Sequence, residues 1–158
     1  MNMLKNLNLL DNILLPASHL NKGKVSRKEL EYRARMLMRK MGIEELSERS
    51  ITEVSGGQLQ RACICRSMIN QPKILFADEP TGALNQSAAQ EVMEEFTRLN
   101  QEGTTILMVT HDSKVVERCG RILYLLDGCI KGEFSPVGVV GEKERGEAVS
   151  RWLAEMGW

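Results

Sequence analysis

Two acidic residues stand directly behind an apolar run typical of a strand, because Asp78 and Glu79 follow Ile74 to Ala77. A strand that ends in carboxylates can present fixed negative charge to a metal ion at the edge of a sheet. Asp78 is suited to holding Mg²⁺, directly or through water, and Glu79 to deprotonating the water that attacks a phosphate. Acid pairs also follow apolar runs by chance at helix caps, so this pair alone does not define a site.

A second strand-like run, Thr104 to Thr110, ends just before His111 and Asp112. Ligands of a parallel α/β sheet lie beyond the carboxyl ends of its strands, so both runs would deliver polar side chains to one edge. His111 could donate a hydrogen bond to a phosphate there. A lone His-Asp pair is more often a solvated turn, and both interpretations stay open on these residues alone.

Upstream of the acid pair, Ser55-Gly56-Gly57-Gln58 opens a predicted helix and is called the signature segment below. Its glycines would let the backbone approach a ligand closely, and the free N–H groups of a helix start attract phosphate. The plain alternative is a capping box, in which Ser55 and Gln58 only satisfy the first helical turn. The presence of the acid pair in the same chain favours the phosphate interpretation.

The elements that would position these residues alternate between helices and strands, which predicts an α/β fold. The first fifteen residues are expected to be a short strand or an irregular lead-in that stops at Pro16. Predicted helices are Ser26 to Gly42, Ser55 to about Asn70, Ser87 to Asn100, and Ser113 to Cys119. Predicted strands are Ile74 to Asp78, covered on both faces, and Thr104 to Thr110. A hairpin around Asp127-Gly128, a linker over 135–141 and an amphipathic helix from Glu142 to Trp158 complete the chain.

The amino-acid composition limits the partners and the cellular compartment that are expected. Lysine plus arginine and aspartate plus glutamate number 21 each, so no net charge argues for a nucleic acid or an anionic membrane surface. No apolar run approaches the ~20 residues that span a bilayer, and a cytosolic chain is expected. The cysteines show no C-x-x-C spacing, which predicts reduced, structural thiols at all four positions: Cys63, Cys65, Cys119 and Cys129.

Three motifs together resemble the ATP-binding cassette (ABC) ATPases. They are Val54 to Arg61 (VSGGQLQR), Ile74 to Leu84 (ILFADEPTGAL) and Val109 to Asp112 (VTHD), in the order and spacing of that family. The resemblance extends over nearly the whole chain. The segment DEPTGAL is most similar to ATPases that power macrolide, lipoprotein and antimicrobial-peptide export, bacitracin-type transporters included.

The resemblance implies a partial P-loop NTPase-like ABC ATPase fold. It would have a helical subdomain at about 16–70, a truncated parallel sheet with flanking helices, and a closing hairpin. Residues 1–134 would form the partial ATPase domain and 135–158 a linker with a C-terminal amphipathic helix.

The resemblance also implies ATP and Mg²⁺ as cofactors and a head-to-tail sandwich with a second ABC ATPase subunit. The signature segment, Ser55, Gly56, Gly57 and Gln58, would close on the γ-phosphate of ATP held by the partner. Asp78 would serve Mg²⁺, Glu79 would be the catalytic base and His111 the switch histidine. A transmembrane permease subunit would hold the ATPase on the inner face of the cell membrane.

One required part of such a site is absent from the 158 residues, namely a G-x-x-x-x-G-K-[ST] loop that cradles the phosphates. Asn21 to Ser26 and Gly138 to Lys143 come nearest and fail in spacing or composition. The family's magnesium-sensing glutamine and its adenine-stacking aromatic would also lie ahead of Met1. Asn85 stands where the family usually has an aspartate. Because phosphoryl transfer depends on positioning, the chain alone is expected to bind ATP poorly and to turn over negligibly.

Three functions remain open on the sequence. The first is the carboxyl-terminal two-thirds of a transporter ATPase. Its exposed sheet edge would then lead to self-association, instability or a rearranged fold, unless a second chain supplies the lost part. The second is a non-catalytic, degenerate subunit that donates its signature segment to a partner ATPase. The third is an ABC ATPase of DNA repair or translation, disfavoured by the absence of long insertions and of a basic balance. The transported substrate is not encoded in these residues.

Overall fold

The computed structural model describes residues 3–20, 25–139 and 141–158, without the side chains of 19 and 20. The chain forms two compact units, Met1–Val109 and Thr110–Trp158. The first contains helices α1 (Leu9–Leu20), α2 (Arg27–Lys40), α3 (Gly56–Met68) and α4 (Gln86–Gln101), with strands β1 (Ile74–Asp78) and β2 (Thr105–Val109). A 3₁₀ turn, Glu44–Leu46, follows α2. The second contains α5 (Ser113–Val116), β3 (Ile122–Leu126), β4 (Cys129–Phe134) and α6 (Glu142–Glu155).

The amino-terminal segment is a helix, so the expected strand or irregular lead-in is wrong. Asn8 opens α1, since its side-chain oxygen accepts the N–H of Asp11 at 2.8 Å. Pro16 lies inside the helix, where its ring removes one backbone hydrogen bond. Burial of a continuous apolar stripe outweighs that loss. The stripe consists of Leu9, Leu10, Ile13, Leu14 and Ala17, all at most 7% exposed.

Helices α1, α2 and α3 pack on one another and share the core of the first unit. The predicted start of α2 is confirmed, because the Ser26 hydroxyl accepts the N–H of Glu29 at 3.2 Å. The apolar positions predicted for α2 face this core, with Ala34 and Met38 fully buried. Helical periodicity in the sequence therefore identified the packing face of α2.

Strands β1 and β2 form a parallel pair in which Ile74 lies opposite Thr105 and Asp78 opposite Val109. The crossover helix α4 packs against β2, and four of its apolar residues are buried: Val92, Met93, Phe96 and Leu99. The predicted bounds of β1 and the β-α-β order are confirmed, as is the α/β class.

One face of this sheet is exposed, so the expectation that β1 is covered on both faces is wrong for the described residues. Side chains alternate between the faces of a strand, which buries Leu75 and turns its neighbours outward. The outward residues, called the open sheet face below, are Ile74 (51% exposed), Phe76 (74%), Leu107 (51%) and Val109 (62%). An apolar strand sequence predicts that both faces of the strand are buried, but it does not indicate which residues bury them.

The second unit is a hairpin covered by α6. Asp127 and Gly128, with φ of 50° and 73°, form the two-residue turn that joins β3 to β4, as predicted. Trp152 of α6 stacks on Phe134 with ring centroids 5.4 Å apart. A Cβ added to Gly132 would lie 3.1 Å from the Trp152 ring, so this glycine lets the helix approach the strand. The predicted carboxyl-terminal helix is confirmed and packs within this unit.

All four cysteines carry free thiols, as predicted. Burial raises the pKa of Cys65 to about 12, and burial also raises the pKa of Cys63 and of Cys119. These three thiols therefore stay protonated at neutral pH. Within the described part of the chain, none of the helices has the length and apolar character needed to cross a bilayer.

Candidate functional site

The signature segment forms a complete capping box at the start of α3. The Ser55 hydroxyl accepts the N–H of Gln58 at 3.2 Å, and the Gln58 side-chain oxygen accepts the N–H of Ser55 at 2.9 Å. The local structure of the capping alternative is thus confirmed. It does not exclude an anion, because the hydroxyl still has its own proton to donate and the N–H groups of Gly56 and Gly57 have no intrahelical acceptor.

The two glycines of the segment have different surroundings. Gly56 is exposed, and a Cβ added to it would meet only ordinary contacts, 3.7 Å from Leu84 Cδ2. Gly57 is buried, and a Cβ added there would lie 2.9 Å from the Cβ of Ala88. The loop after the acid pair, residues 80–85, therefore reaches the start of α3 on the side of Gly56, and α4 packs against Gly57.

Asp78 and Glu79 occupy the carboxyl end of β1, as predicted. Asp78 is the last residue of the strand and is exposed. Glu79 donates its N–H to the Val109 carbonyl at 2.9 Å and has φ of 42°. A non-glycine residue in this left-handed region costs roughly 1 kcal/mol or more, and such residues cluster at functional sites. Gly82 lies beside Glu79, since its added Cβ would be 3.9 Å from Glu79 Oε2.

The loop that follows ends in a second helix cap. Asn85 accepts the N–H of Ala88 at 2.9 Å through its side-chain oxygen and so opens α4. Asparagine is among the residues preferred at such a cap, so Asn85 serves the local structure of this helix start. Residues 80–85 thus run between the end of β1 and the start of α4, with Thr81 buried and Asn85 exposed.

Asp78 fits one particular kind of metal site. Across residues 3–20, 25–139 and 141–158, no group of three or more histidine, cysteine, aspartate or glutamate side chains could hold a metal ion. Mg²⁺ needs no such group, because it keeps several waters and is bound by one or two carboxylates plus substrate phosphates. An exposed carboxylate at a strand end is suited to Mg²⁺ that arrives with a nucleotide, and unsuited to a metal held by protein ligands alone.

His111 belongs to the second unit, together with Asp112. Asp112 opens α5, because its side-chain oxygen accepts the N–H of Lys114 at 2.9 Å, and its own N–H donates to the Thr110 hydroxyl at 3.1 Å. These bonds fix the turn that carries His111, which is exposed. The expected approach of His111 to Asp78 and Glu79 stays a prediction.

The last residue of the VSGGQLQR motif, Arg61, was given no role from the sequence. Arg61 donates to the Met41 carbonyl at 3.2 Å and forms an ion pair with Glu91 of α4. Its side chain is only 21% exposed, which is unusual for arginine on a surface helix. The available signal was its position four residues after Gly57, on the same face of α3.

Comparison with known proteins gives relatives of one kind. The family model described as ABC transporter matches residues 2–82. The macrolide export ATP-binding/permease protein MacB of Syntrophobacter fumaroxidans is 41% identical over 138 residues, 87% of this chain and 19% of that protein. An uncharacterized ABC transporter ATP-binding protein of Bacillus subtilis, YknY, is 41% identical over 140 residues, 89% of this chain and 60% of that protein. The bacitracin export ATP-binding protein BceA of Halalkalibacterium halodurans is 39% identical over 130 residues, 82% and 50% respectively.

A solved structure agrees with these relatives. The dimeric, post-hydrolysis state of the ATP-binding cassette MJ0796, bound to ADP and Pi, superposes with a TM-score of 0.75 at 34% identity. The match covers 85% of this chain and 59% of that one, so the chain spans well under two thirds of the cassette. The α/β fold described above therefore matches that of an ATP-binding cassette, and the chain belongs to the ABC transporter family.

Proposed function

We propose that the chain is the ATP-binding and ATP-hydrolysing component of a membrane transporter that drives export. The names of its relatives support macrolides and peptide antibiotics such as bacitracin as the class of cargo, and the DEPTGAL segment adds lipoproteins. Its partners would be a transmembrane permease subunit and a second ABC ATPase subunit. The chain would lie on the cytoplasmic face of the membrane, held there by the permease. Residues 1–134 would form the cassette part and 135–158 an appended linker and helix.

The observation that carries this proposal is the open start of α3. Gly56 is exposed and has no side chain to block an approaching ligand. Ser55 and the first-turn N–H groups lie at the start of α3, and the start of a helix favours negative charge. We assign Ser55, Gly56, Gly57 and Gln58 to the γ-phosphate of ATP held by the partner subunit. In a head-to-tail pair each subunit would then complete the other's site.

The roles at the sheet edge follow from residue chemistry. Glu79 would act as the catalytic base, positioned by its backbone bond to Val109. Asp78 would hold Mg²⁺, which supplies neutralising charge to the nucleotide phosphates when bound. His111 would donate to the γ-phosphate as the switch histidine. Each assignment rests on the residue type, its place in the fold and the family motif.

The chain needs further residues to perform this reaction. No phosphate-cradling loop occurs in the 158 residues, and the open sheet face supplies apolar surface that further residues of a cassette would cover. We therefore propose that these residues alone bind ATP weakly and hydrolyse it negligibly. The cradle would come from residues outside these 158, in the same or in another polypeptide.

The test is a comparison of the chain alone with a chimera. In the chimera, these residues replace the matched part of a related, active cassette that retains its own phosphate loop. We expect Mg²⁺-dependent ATP hydrolysis only in the chimera and its loss in Glu79→Gln. Glu147→Gln, an exposed carboxylate of α6, is the matched control and should leave the rate unchanged. Micromolar ATP affinity with Glu79-dependent turnover by the chain alone would refute the proposed incompleteness. A chimera that folds and stays inactive would count against the ATPase assignment.

A second candidate function is a non-catalytic subunit that donates its signature segment to an intact ATPase. The completed capping box favours it, because the segment is folded within the first unit without any phosphate loop. Mixing the chain with an intact related ABC ATPase should then raise the ATPase rate, and Ser55→Arg should abolish the increase. No increase at any ratio would exclude this candidate. The export names of the relatives weigh against a role in DNA repair or translation.

A further inference from the structure

The first turns of α3 and α4 are in direct contact through residues that carry no side chain or only a methyl group. Gly57 packs on Ala88 so closely that an added Cβ would be 2.9 Å away from the Ala88 Cβ. The Ala88 methyl is attached to the backbone and cannot rotate out of the way. Restoring an ordinary contact would require the two helices to separate by about 0.5 Å.

Ala88 is itself tied to the start of α4. Its N–H donates to the Asn85 side-chain oxygen at 2.9 Å, the bond that caps the helix. Gly57 lies two residues after Ser55, the corresponding cap of α3. The contact between Gly57 and Ala88 therefore joins two helix starts, one carrying the signature segment and the other ending the loop 80–85.

A second contact lies one turn further along both helices. Arg61, four residues after Gly57, forms an ion pair with Glu91, three residues after Ala88. Arg61 also donates to the Met41 carbonyl beyond α2, and its buried Nε has no hydrogen-bond partner among the described residues. The Arg61 guanidinium thus leaves one buried N–H unpaired while it bonds to two partners. These two contacts fix the position of the side chain.

We infer that Gly57 and Arg61 are positioning residues. With Ala88 and Glu91 they hold the first turns of α3 and α4 as one body, so that the signature segment and the loop 80–85 move together. Gly57 then acts through helix packing, whereas Gly56 supplies the open surface for a ligand. The inference rests on the proposed role of the signature segment, but the packing itself can be measured without it.

The packing is tested on the whole chain by urea unfolding. We expect Gly57→Ala to lower the midpoint, while Gly56→Ala, the matched control with only ordinary contacts, leaves it unchanged or raises it slightly, since alanine is the better helix former. Ala88→Gly alone should also lower the midpoint, because glycine is the poorer helix former. The double variant should nevertheless unfold at a higher urea concentration than Gly57→Ala alone. Equal midpoints for Gly57→Ala and Gly56→Ala would overturn the inference.

A second measurement separates positioning from general stability. In Gly57→Ala the Ala88 N–H should exchange with solvent faster at a urea concentration far below the midpoint, and the double variant should regain protection. Arg61→Lys, which keeps the charge but not both hydrogen bonds, should accelerate the same exchange in a smaller degree. Unchanged exchange of Ala88 in Gly57→Ala would overturn the coupling of the two helix starts.

The functional consequence is read from stimulation of an intact related ABC ATPase by the chain. Gly57→Ala should lose maximal stimulation at saturating chain, and adding Ala88→Gly should restore it. If the double variant regains the urea midpoint but not the stimulation, Gly57 serves the approach of a ligand, and the inference is refuted. Ser55→Arg tests the proposed function separately: if it leaves stimulation intact, that function fails, while the unfolding and exchange results still decide the packing.

Discussion

Asn12 is a fully buried polar residue whose replacement should destabilise the first unit strongly. Its side-chain oxygen accepts the Leu4 N–H at 2.8 Å. Its amide donates to the carbonyls of Leu4, Leu7 and Asn8 at 3.0, 3.2 and 3.0 Å. The side chain thereby holds the turn that precedes α1 against the first turns of the helix.

The four bonds do not contribute equally. The Asn8 carbonyl also accepts the Asn12 backbone N–H, and the Leu4 carbonyl accepts that of Leu7, so both keep a donor in Asn12→Ala. Loss of the bonds to the Leu4 N–H and to the Leu7 carbonyl should cost about 1 to 1.5 kcal/mol each. Loss of each of the other two bonds should cost about 0.5 kcal/mol. Subtracting about 0.5 kcal/mol for the better helix propensity of alanine leaves a loss of roughly 3 kcal/mol.

The assay is urea unfolding followed by far-ultraviolet circular dichroism. Asn12→Ala should lower the free energy of unfolding by roughly 3 kcal/mol, while Asn6→Ala, an exposed asparagine of the same turn, should change it by less than about 0.5 kcal/mol. Asn12→Asp should be worse at neutral pH, because a carboxylate would then face three carbonyl oxygens. An Asn12→Ala loss no larger than that of Asn6→Ala, or an Asn12→Asp variant as stable as the parent, would refute the reasoning.

Two further predictions concern the open sheet face and the thiols. Phe76→Ser should reduce the self-association measured by sedimentation velocity without lowering stability. Tyr32→Ser, which changes a lone exposed aromatic of α2, should leave self-association unchanged. Equal association of the two variants would contradict a role for the open sheet face. Cys129 should react with a thiol reagent in the native state, and Cys65 only on unfolding. Burial raises the pKa of the Cys65 thiol to about 12 in the folded chain, against about 9 in the unfolded chain. Its contribution to stability is therefore complete below pH 9 and is lost as the pH rises towards 12. Cys65→Ala should flatten that decline, and an unchanged slope would contradict the assigned cause.

Local signals in the sequence predicted most of the elements. The cap at Ser55, the apolar run of β1 and the dipeptide Asp127-Gly128 each act through neighbours along the chain, and the structure has these elements where they were predicted. Helix α1 was missed because a local rule, the helix-breaking effect of Pro16, was given more weight than the buried stripe on the same segment. Tertiary packing decides such conflicts, and it is not visible in a single short window.

The candidate site shows the same division. The motif residues Asp78, Glu79 and Gly56 could be selected by type and spacing, and the end of β1 was placed correctly. The left-handed backbone of Glu79 could not be read from the sequence, since glutamate has no preference for it. Nor could the difference between two adjacent glycines, because the burial of Gly57 depends on where α4 lies.

The stacked Trp152 has a spectroscopic consequence. Both tryptophans of the chain, Trp152 and Trp158, lie in the second unit, and the first unit contains none. Tryptophan emission therefore reports on the second unit alone, while the helical dichroism signal comes largely from the first. Transitions that coincide in the two signals would mean that the units unfold as one cooperative system, and separate midpoints would give the stability of each unit in a single titration.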